Sequence, residues 1–365
     1  MLQIDHVYEF LYQELFKDFE VWHFHNGVAK PEPINIFDIS VFTPHINVDK
    51  KMFVYDQEPY IPHLVDPYLN LDFFCNNSAD HILVTSEQSD ATNECANKNN
   101  LYLMYYFFHG FAALDWYRGH YALNYSKNPN REYKYDYVSY NRIINHDRSY
   151  RIYWTSKLAE LDLLSKGQVS FNVTDNLFDD WRDEVASPNT KLSEHARSHA
   201  EQHLTTINKL VVDKPELPGS ASADIPKEIN ALWNIVTETV FYYDKLHLTE
   251  KIFKPIVSKQ PFMLLAAPGN LAYLRSYGFK TFNGIIDESY DNIQDNDARI
   301  QAVVKQLVWY CGLSEVEKAN ILRALEPIIL HNFHHFYGDF KHIITQELLD
   351  NTKALFKTIG YDDSR

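Results

Sequence analysis

Hydrophobic and polar positions alternate along the chain in two registers. In the first third, short runs at 34–42, 52–55, 81–85 and 101–108 are rich in Val, Ile, Phe and Tyr and bounded by Pro, Asn or Asp, a pattern that predicts strands. From residue 135 the pattern becomes a regular alternation. Strands are predicted at 135–140, 168–171, 235–243 and 261–266, and helices at 150–164, 193–210, 249–259 and 270–277. Helical periodicity then continues through 295–310, 314–330 and 340–359. Strands that alternate with helices at this spacing are the mark of βαβ units and a parallel sheet.

Two breaks divide the pattern. The stretch 124–133 (NYSKNPNREY) is charged and carries Pro and Asn, and it sets the expected domain boundary. The stretch 213–229 is a Pro-, Ser- and Gly-bearing loop. The expectation is an α/β protein with an N-terminal domain over 1–130, a C-terminal domain over 131–345 and a closing helix over 346–365. Two α/β halves imply a ligand cleft at the carboxyl ends of their strands.

Composition narrows the function classes. The chain has 365 residues, 45% of them hydrophobic, enough for a sizeable core. Its formal net charge of −15 repels a polyanion at long range, so nucleic acid is an unlikely partner unless a local basic groove forms, such as Lys127, Arg131, Lys134 and Arg142. Three cysteines without CxxC spacing fit a reducing compartment. The first twenty residues lack the basic flank and apolar block of a signal peptide, and the greasiest run, 101–114, is broken by His109 and Gly110. A cytoplasmic protein without a membrane span is expected.

Several chemistries lack their usual sequence support. The 11 glycines include no GxGxxG and no Walker A loop, and HExxH and GxSxG are also missing. A histidine cluster, His331, His334, His335 and His342, has no carboxylate or cysteine at ligand spacing and reads as an aromatic helix end packed on the core. Asp295-Asn-Asp297 reads as a negative cap for the following helix, although a DxD-like triplet can also hold Mn²⁺. No metal site and no cofactor are expected. The aromatics Tyr102, Tyr105, Tyr106 and Trp116 fit core packing better than sugar stacking.

The segment around Thr249 is different. A strand is followed by a short loop, then Thr249 at a helix N-cap position, then Glu250 and Lys251 in the first turn. Ile252, Phe253, Ile256 and Val257 share one face, leaving Glu250, Lys251 and Lys254 on the other. Pro255 removes a helical hydrogen bond and predicts a short or kinked helix. Free N–H groups at such a terminus, beside a lysine, make an anion site, and Glu250 can accept hydrogen bonds from sugar hydroxyls. A capped surface helix with an ordinary charge pair has the same pattern.

These residues resemble a known family. Thr249-Glu250-Lys251 with its apolar helix, then Pro261-Phe262, a Pro-Gly-Asn turn and Tyr273, is similar to the TEK donor-binding motif of glycosyltransferase family 10, the α-1,3/1,4-fucosyltransferases. Glu238 in Thr237-Glu-Thr resembles the family's E-N-S/T element, and VSYNRIINHDRSYRIYWTSKL, with Asn141 and Arg151, resembles its S-N…R…L stretch. Tyr55-Asp-Gln-Glu58-Pro-Tyr-Ile-Pro62 resembles its G-E-N-x-x-P element. Four elements appear in the family's order over roughly residues 50 to 280. The chain departs from the pattern at His247, where the family has Tyr, in the missing Asn after Glu238, and in the missing Gly before Glu58.

The resemblance implies the GT-B architecture, two Rossmann-like domains facing across a cleft with C-terminal helices. It implies inverting, metal-independent transfer of a sugar, fucose by preference, from a GDP-sugar such as GDP-fucose to a hydroxyl of a glycan acceptor. The donor-binding residues implied are Asn141, Arg148, Arg151, Glu238, His247, Thr249, Glu250 and Lys251. Arg151 and Lys251, with the helix starting at Thr249, would neutralise the leaving pyrophosphate, and Arg148 stands in for Arg151. Glu58 is the implied catalytic base, with Asp56 and Glu87 as acceptor-side candidates. Two other readings keep the fold: a transferase acting on a modified nucleobase in DNA, and a nucleotide-sugar or glycan-binding protein without turnover.

Overall fold

A computed structural model describes residues 16, 20–24, 39–42, 51–55, 81–121, 133–172, 180–211 and 230–361. The chain divides into two compact units, one made of 1–115, 245–247 and 339–365, the other of 116–244 and 248–338. Both are α/β. The division falls at 115/116 rather than 130/131, and the C-terminal residues belong to the first unit from Asp339 onward.

The first unit is built on strands β1 (Glu20–Phe24), β2 (Ile39–Phe42), β3 (Lys51–Tyr55), β4 (His81–Thr85) and β5 (Leu101–Tyr105), in the order β2-β1-β3-β4-β5. β1, β3, β4 and β5 pair in parallel, with Tyr55 opposite Thr85 and Thr85 opposite Tyr105, and β2 runs antiparallel at the edge. Helix α1 (Asp90–Lys98), capped by Ser89, makes the crossover from β4 to β5. The run expected as one strand over 101–108 ends at Tyr105, and helix α2 (Phe108–Trp116) follows. Alternation cannot separate a short strand from a buried helix when every position is apolar, and Phe108–Leu114 are all buried. Tyr106 is fully buried, whereas Trp116 is exposed.

The second unit is a four-stranded parallel sheet of β6 (Tyr135–Asn141), β7 (Gly167–Phe171), β8 (Ala231–Thr237) and β9 (Phe262–Leu265), in the order β7-β6-β8-β9. β8, sequence ALWNIVT, is buried at every position, as a strand covered on both faces must be. Helix α3 (Tyr150–Glu160) follows β6, and α4 (Trp181–Ala186) and α5 (Glu194–His203) follow β7. Helix α6 (Glu250–Val257) lies between β8 and β9, and α7 (Asn270–Ser276), α8 (Asn296–Cys311) and α9 (Glu315–Tyr337) complete the unit. The strand expected over 235–243 lies instead at 231–237, because the apolar residues Val240 and Phe241 pack as loop rather than ladder. The helix expected over 193–210 stops at His203.

The chain enters the first unit again at two places. Leu246 makes a two-way backbone bridge with Gln88, N to O at 3.1 and 2.9 Å, and helix α10 (Asp339–Thr358) lies against β5. There Asn351 Nδ2 donates to the Tyr105 carbonyl at 2.8 Å, and Phe340 meets Phe107 edge-on. Among the described residues no helix is long and apolar enough to cross a membrane.

Candidate functional site

The β7-β6-β8-β9 order reverses direction between β6 and β8, so the loops leaving those two strands diverge at one edge of the sheet. In open α/β sheets this is where a crevice for a ligand forms. The last residue of β6 and the residues following β6 and β8 include seven of the eight implied donor-binding positions. The eighth, His247, is buried in the three-residue stretch belonging to the first unit, edge-on to His109.

Glu238, the first residue past β8, is completely buried. Its Oε2 accepts from Thr249 Oγ1 at 2.5 Å and from the Thr239 N–H at 3.3 Å, and its Oε1 accepts from the Thr249 N–H at 3.2 Å. Burial pushes its carboxyl above the ordinary range, while Lys251 and the Thr249 hydrogen bonds pull the other way. Thr249 has extended backbone and caps α6, accepting from the Lys251 N–H at 3.4 Å. Lys251 Nζ reaches the Thr249 and Thr239 hydroxyls at 3.1 and 3.3 Å and Glu250 Oε1 at 2.9 Å. Glu250 is nearly buried, whereas the Lys251 side chain is 27% exposed. α6 is short, as its proline predicts, and its apolar face Ile252, Phe253, Ile256 and Val257 is buried.

The start of α3 lies against the same loop. Tyr150 stacks on Phe241 with ring centroids 4.0 Å apart, and its hydroxyl donates to the Glu238 carbonyl at 2.6 Å. The Arg151 guanidinium is 4% exposed and donates to the carbonyls of Ile143 at 2.9 Å and Thr237 at 2.7 Å, with a longer bond of 3.4 Å to that of Glu238. It thus ties the loop after β6 to the end of β8. Its Nε is buried with no hydrogen-bond partner among the described residues. Arg148 is half-buried in a single 3₁₀ turn, 146–148, just before α3. Asn141, the last residue of β6, donates from Nδ2 to Ser139 Oγ at 3.1 Å, while its buried Oδ1 has no partner among the described residues. An orphaned acceptor costs about 1–3 kcal/mol in a finished core, and here it stands at the carboxyl end of β6, beside the point where the strand order reverses.

In the first unit, Glu87 follows β4 and is engaged inward. Lys245 Nζ donates to both carboxylate oxygens, at 2.8 and 3.0 Å, and Ser89 and Thr92 hydroxyls donate to Oε1 at 2.6 and 2.5 Å. Lys245 and Glu87 are both buried. Glu58 and Asp56 lie outside the described residues.

The features expected to be structural have ordinary partners. Asp295 caps α8, accepting from the Ala298 N–H at 2.7 Å, and Asp297 accepts from Ser193. His331 and His335 meet the carbonyls of Gly278 and Tyr277 at 3.0 and 2.6 Å. Tyr150 and Phe241 also hold the loop after β8, a role that depends on contacts made across the fold and that no spacing in the chain marks.

No protein-family model matches the sequence. No curated protein matches it either. Among solved structures, the chain is similar to a variant of T4 phage BGT in complex with UDP-glucose, with a TM-score of 0.41 and 11% identity over 85% of this chain and 73% of that one.

Proposed function

We propose that this protein is an inverting glycosyltransferase that takes a sugar from a nucleotide-sugar, a GDP-sugar with fucose by preference, and delivers it to a glycan hydroxyl. The observation that supports this reading most directly is the capped head of α6 at the switch point of the sheet, with Glu238, Thr249 and Lys251 in one hydrogen-bonded chain.

The chemistry follows from that arrangement. A departing nucleoside diphosphate gains negative charge, which the positive end of the α6 dipole and the Lys251 ammonium can take up without reorganising. Lys251 is partly exposed and held by neutral hydroxyls as well as by Glu250, so a diphosphate can compete for it. Arg148 and the start of α3 add positive potential. Arg151 serves this reading first as a positioning residue, through its carbonyl contacts. Glu238 likewise acts through Thr249, whose hydroxyl it orients. Glu58 is the proposed base, accepting the proton of the acceptor hydroxyl as the sugar is transferred with inversion.

A thermal-shift series with GDP, UDP, CDP, TDP and ADP, each with EDTA or with Mn²⁺, tests the reading. A nucleotide at one hundred times its Kd stabilises by about 2.7 kcal/mol. GDP stabilisation that survives EDTA and disappears in Lys251→Met supports it. A preference for UDP overturns the GDP assignment, a strict need for Mn²⁺ overturns the metal-free chemistry, and silence from every nucleotide overturns the donor site.

A further inference from the structure

Away from the donor site, helix α5 carries His195, His199 and His203 four residues apart, a stripe on one face of the helix. α3 supplies that face with Tyr153, Ser156, Lys157 and Glu160. His195 Nε2 is 3.2 Å from the Tyr153 hydroxyl, and His199 Nδ1 is 2.8 Å from Ser156 Oγ. His199 Nε2 stands 3.2 Å from Glu160 Oε2, and the His199 and His203 rings are 4.4 Å apart. One ligand atom from each of Glu160, His199 and His203 falls within a group no wider than 4.8 Å.

The hydrogen bonds fix which nitrogen of His199 carries a lone pair. Ser156 Oγ donates its proton to the Tyr153 carbonyl at 2.8 Å. It therefore accepts from His199 Nδ1–H, and in the neutral ring Nε2 presents its lone pair to the Glu160 carboxylate. Two acceptors facing each other at 3.2 Å repel unless a cation lies between them. Two ligands of a tetrahedral zinc ion, at bond lengths of about 2.0–2.2 Å, stand about 3.3 Å apart. His203, half-exposed at the last turn of α5, offers a third ligand atom within the same 4.8 Å group.

We propose that Glu160, His199 and His203 form a binding site for a zinc-class divalent cation that clips α3 to α5. The His₂Glu donor set suits zinc, with nickel and copper as competitors, and three protein ligands leave a fourth position for water. Ser156 is the outer partner that sets the His199 tautomer. Lys157 donates to the same Glu160 oxygen, so the ion must displace an ammonium from it. The site is independent of the donor reading, since none of its residues belongs to the α6 head.

Zinc chloride titrated into the metal-stripped full-length chain, in competition with a chromophoric chelator, tests the proposal. One equivalent is expected to bind, and cobalt(II) in its place should show the intense visible bands of tetrahedral coordination. His199→Gln and His203→Ala should each weaken binding at least tenfold, by about the 10- to 100-fold expected for Ser156→Ala or more. Lys157→Met should tighten it by removing the competing ammonium. Far-UV circular dichroism in EDTA checks that each variant is folded, and His203, at the helix end, is the safer substitution should His199→Gln fail. Failure to take up zinc would mean that a proton on His199 Nε2 serves as the cation, and the proposal falls. It also falls if zinc binds equally well to the wild type and His203→Ala, which would place the metal elsewhere.

Discussion

Thr249 Oγ1 donates to Glu238 Oε2 at 2.5 Å, joining the first residue past β8 to the residue that caps α6. They lie eleven residues apart in the chain, and the bond closes the loop between them. Because the Thr249 proton is spent on Glu238, its oxygen lone pairs are left for the Lys251 N–H and ammonium. A single hydroxyl therefore caps the helix and fixes the cation beside it.

Thr249→Val keeps the shape of the side chain and removes the hydroxyl's bonds to Glu238 and to Lys251. It is expected to lose about 1 kcal/mol for the cap and about 1–3 kcal/mol for the buried Glu238 Oε2, left with only the longer bond from the Thr239 N–H. Thr249→Ser should recover most of the loss. Urea unfolding of the three proteins measures the difference, and a wild-type midpoint for Thr249→Val would show that neither bond contributes.

Glu238 should also leave a signature in the pH dependence of stability. Burial raises its folded pKa above the ordinary 4.5. The folded chain then binds more protons here than the unfolded chain, so this group's contribution is full below the unfolded pKa and is lost as pH rises through the folded value. Glu184, Glu288 and Asp291 are raised for the same reason and act in the same direction. Their effect cancels in a comparison with Glu238→Gln. The stability of Glu238→Gln relative to wild type is expected to increase as pH is raised from 4.5 toward neutrality, and a pH-independent difference would contradict the burial effect.

The Glu87–Lys245 pair holds the three-residue return of the chain in the first unit. Both side chains are buried, with Lys245 4% exposed. Lys245→Met leaves a carboxylate without its cation and should cost about 3–5 kcal/mol. Pairing it with Glu87→Gln should restore a large part, because no uncompensated charge remains. Additive losses in the double-mutant cycle would refute the coupling.

Gly278 follows α7 with φ of +89°, and a Cβ there would meet His335 Cε1 and Nε2 at 2.7 Å. Gly278→Ala is expected to destabilise by more than the roughly 1–2 kcal/mol of the backbone conformation alone. Adding His335→Ala should relieve the steric part and leave the backbone part. A thermal melt of the two variants separates them.

The parallel α/β character of the second unit was legible in the chain's own pattern, because βαβ alternation follows from side-chain periodicity within each element. The cap at Thr249 and the short α6 were legible too, since a hydroxyl at the cap position and a proline in the helix act locally. Tertiary structure decided where these pieces meet. The Glu238–Thr249 bond, the three carbonyls gathered by Arg151 and the burial of Glu87 against Lys245 depend on loops whose paths no local propensity encodes. The histidine stripe at 195, 199 and 203 was present in the sequence as a spacing. Its acidic partner, Glu160, lies on another helix, and only the packing of α3 on α5 brings the carboxylate to the imidazoles.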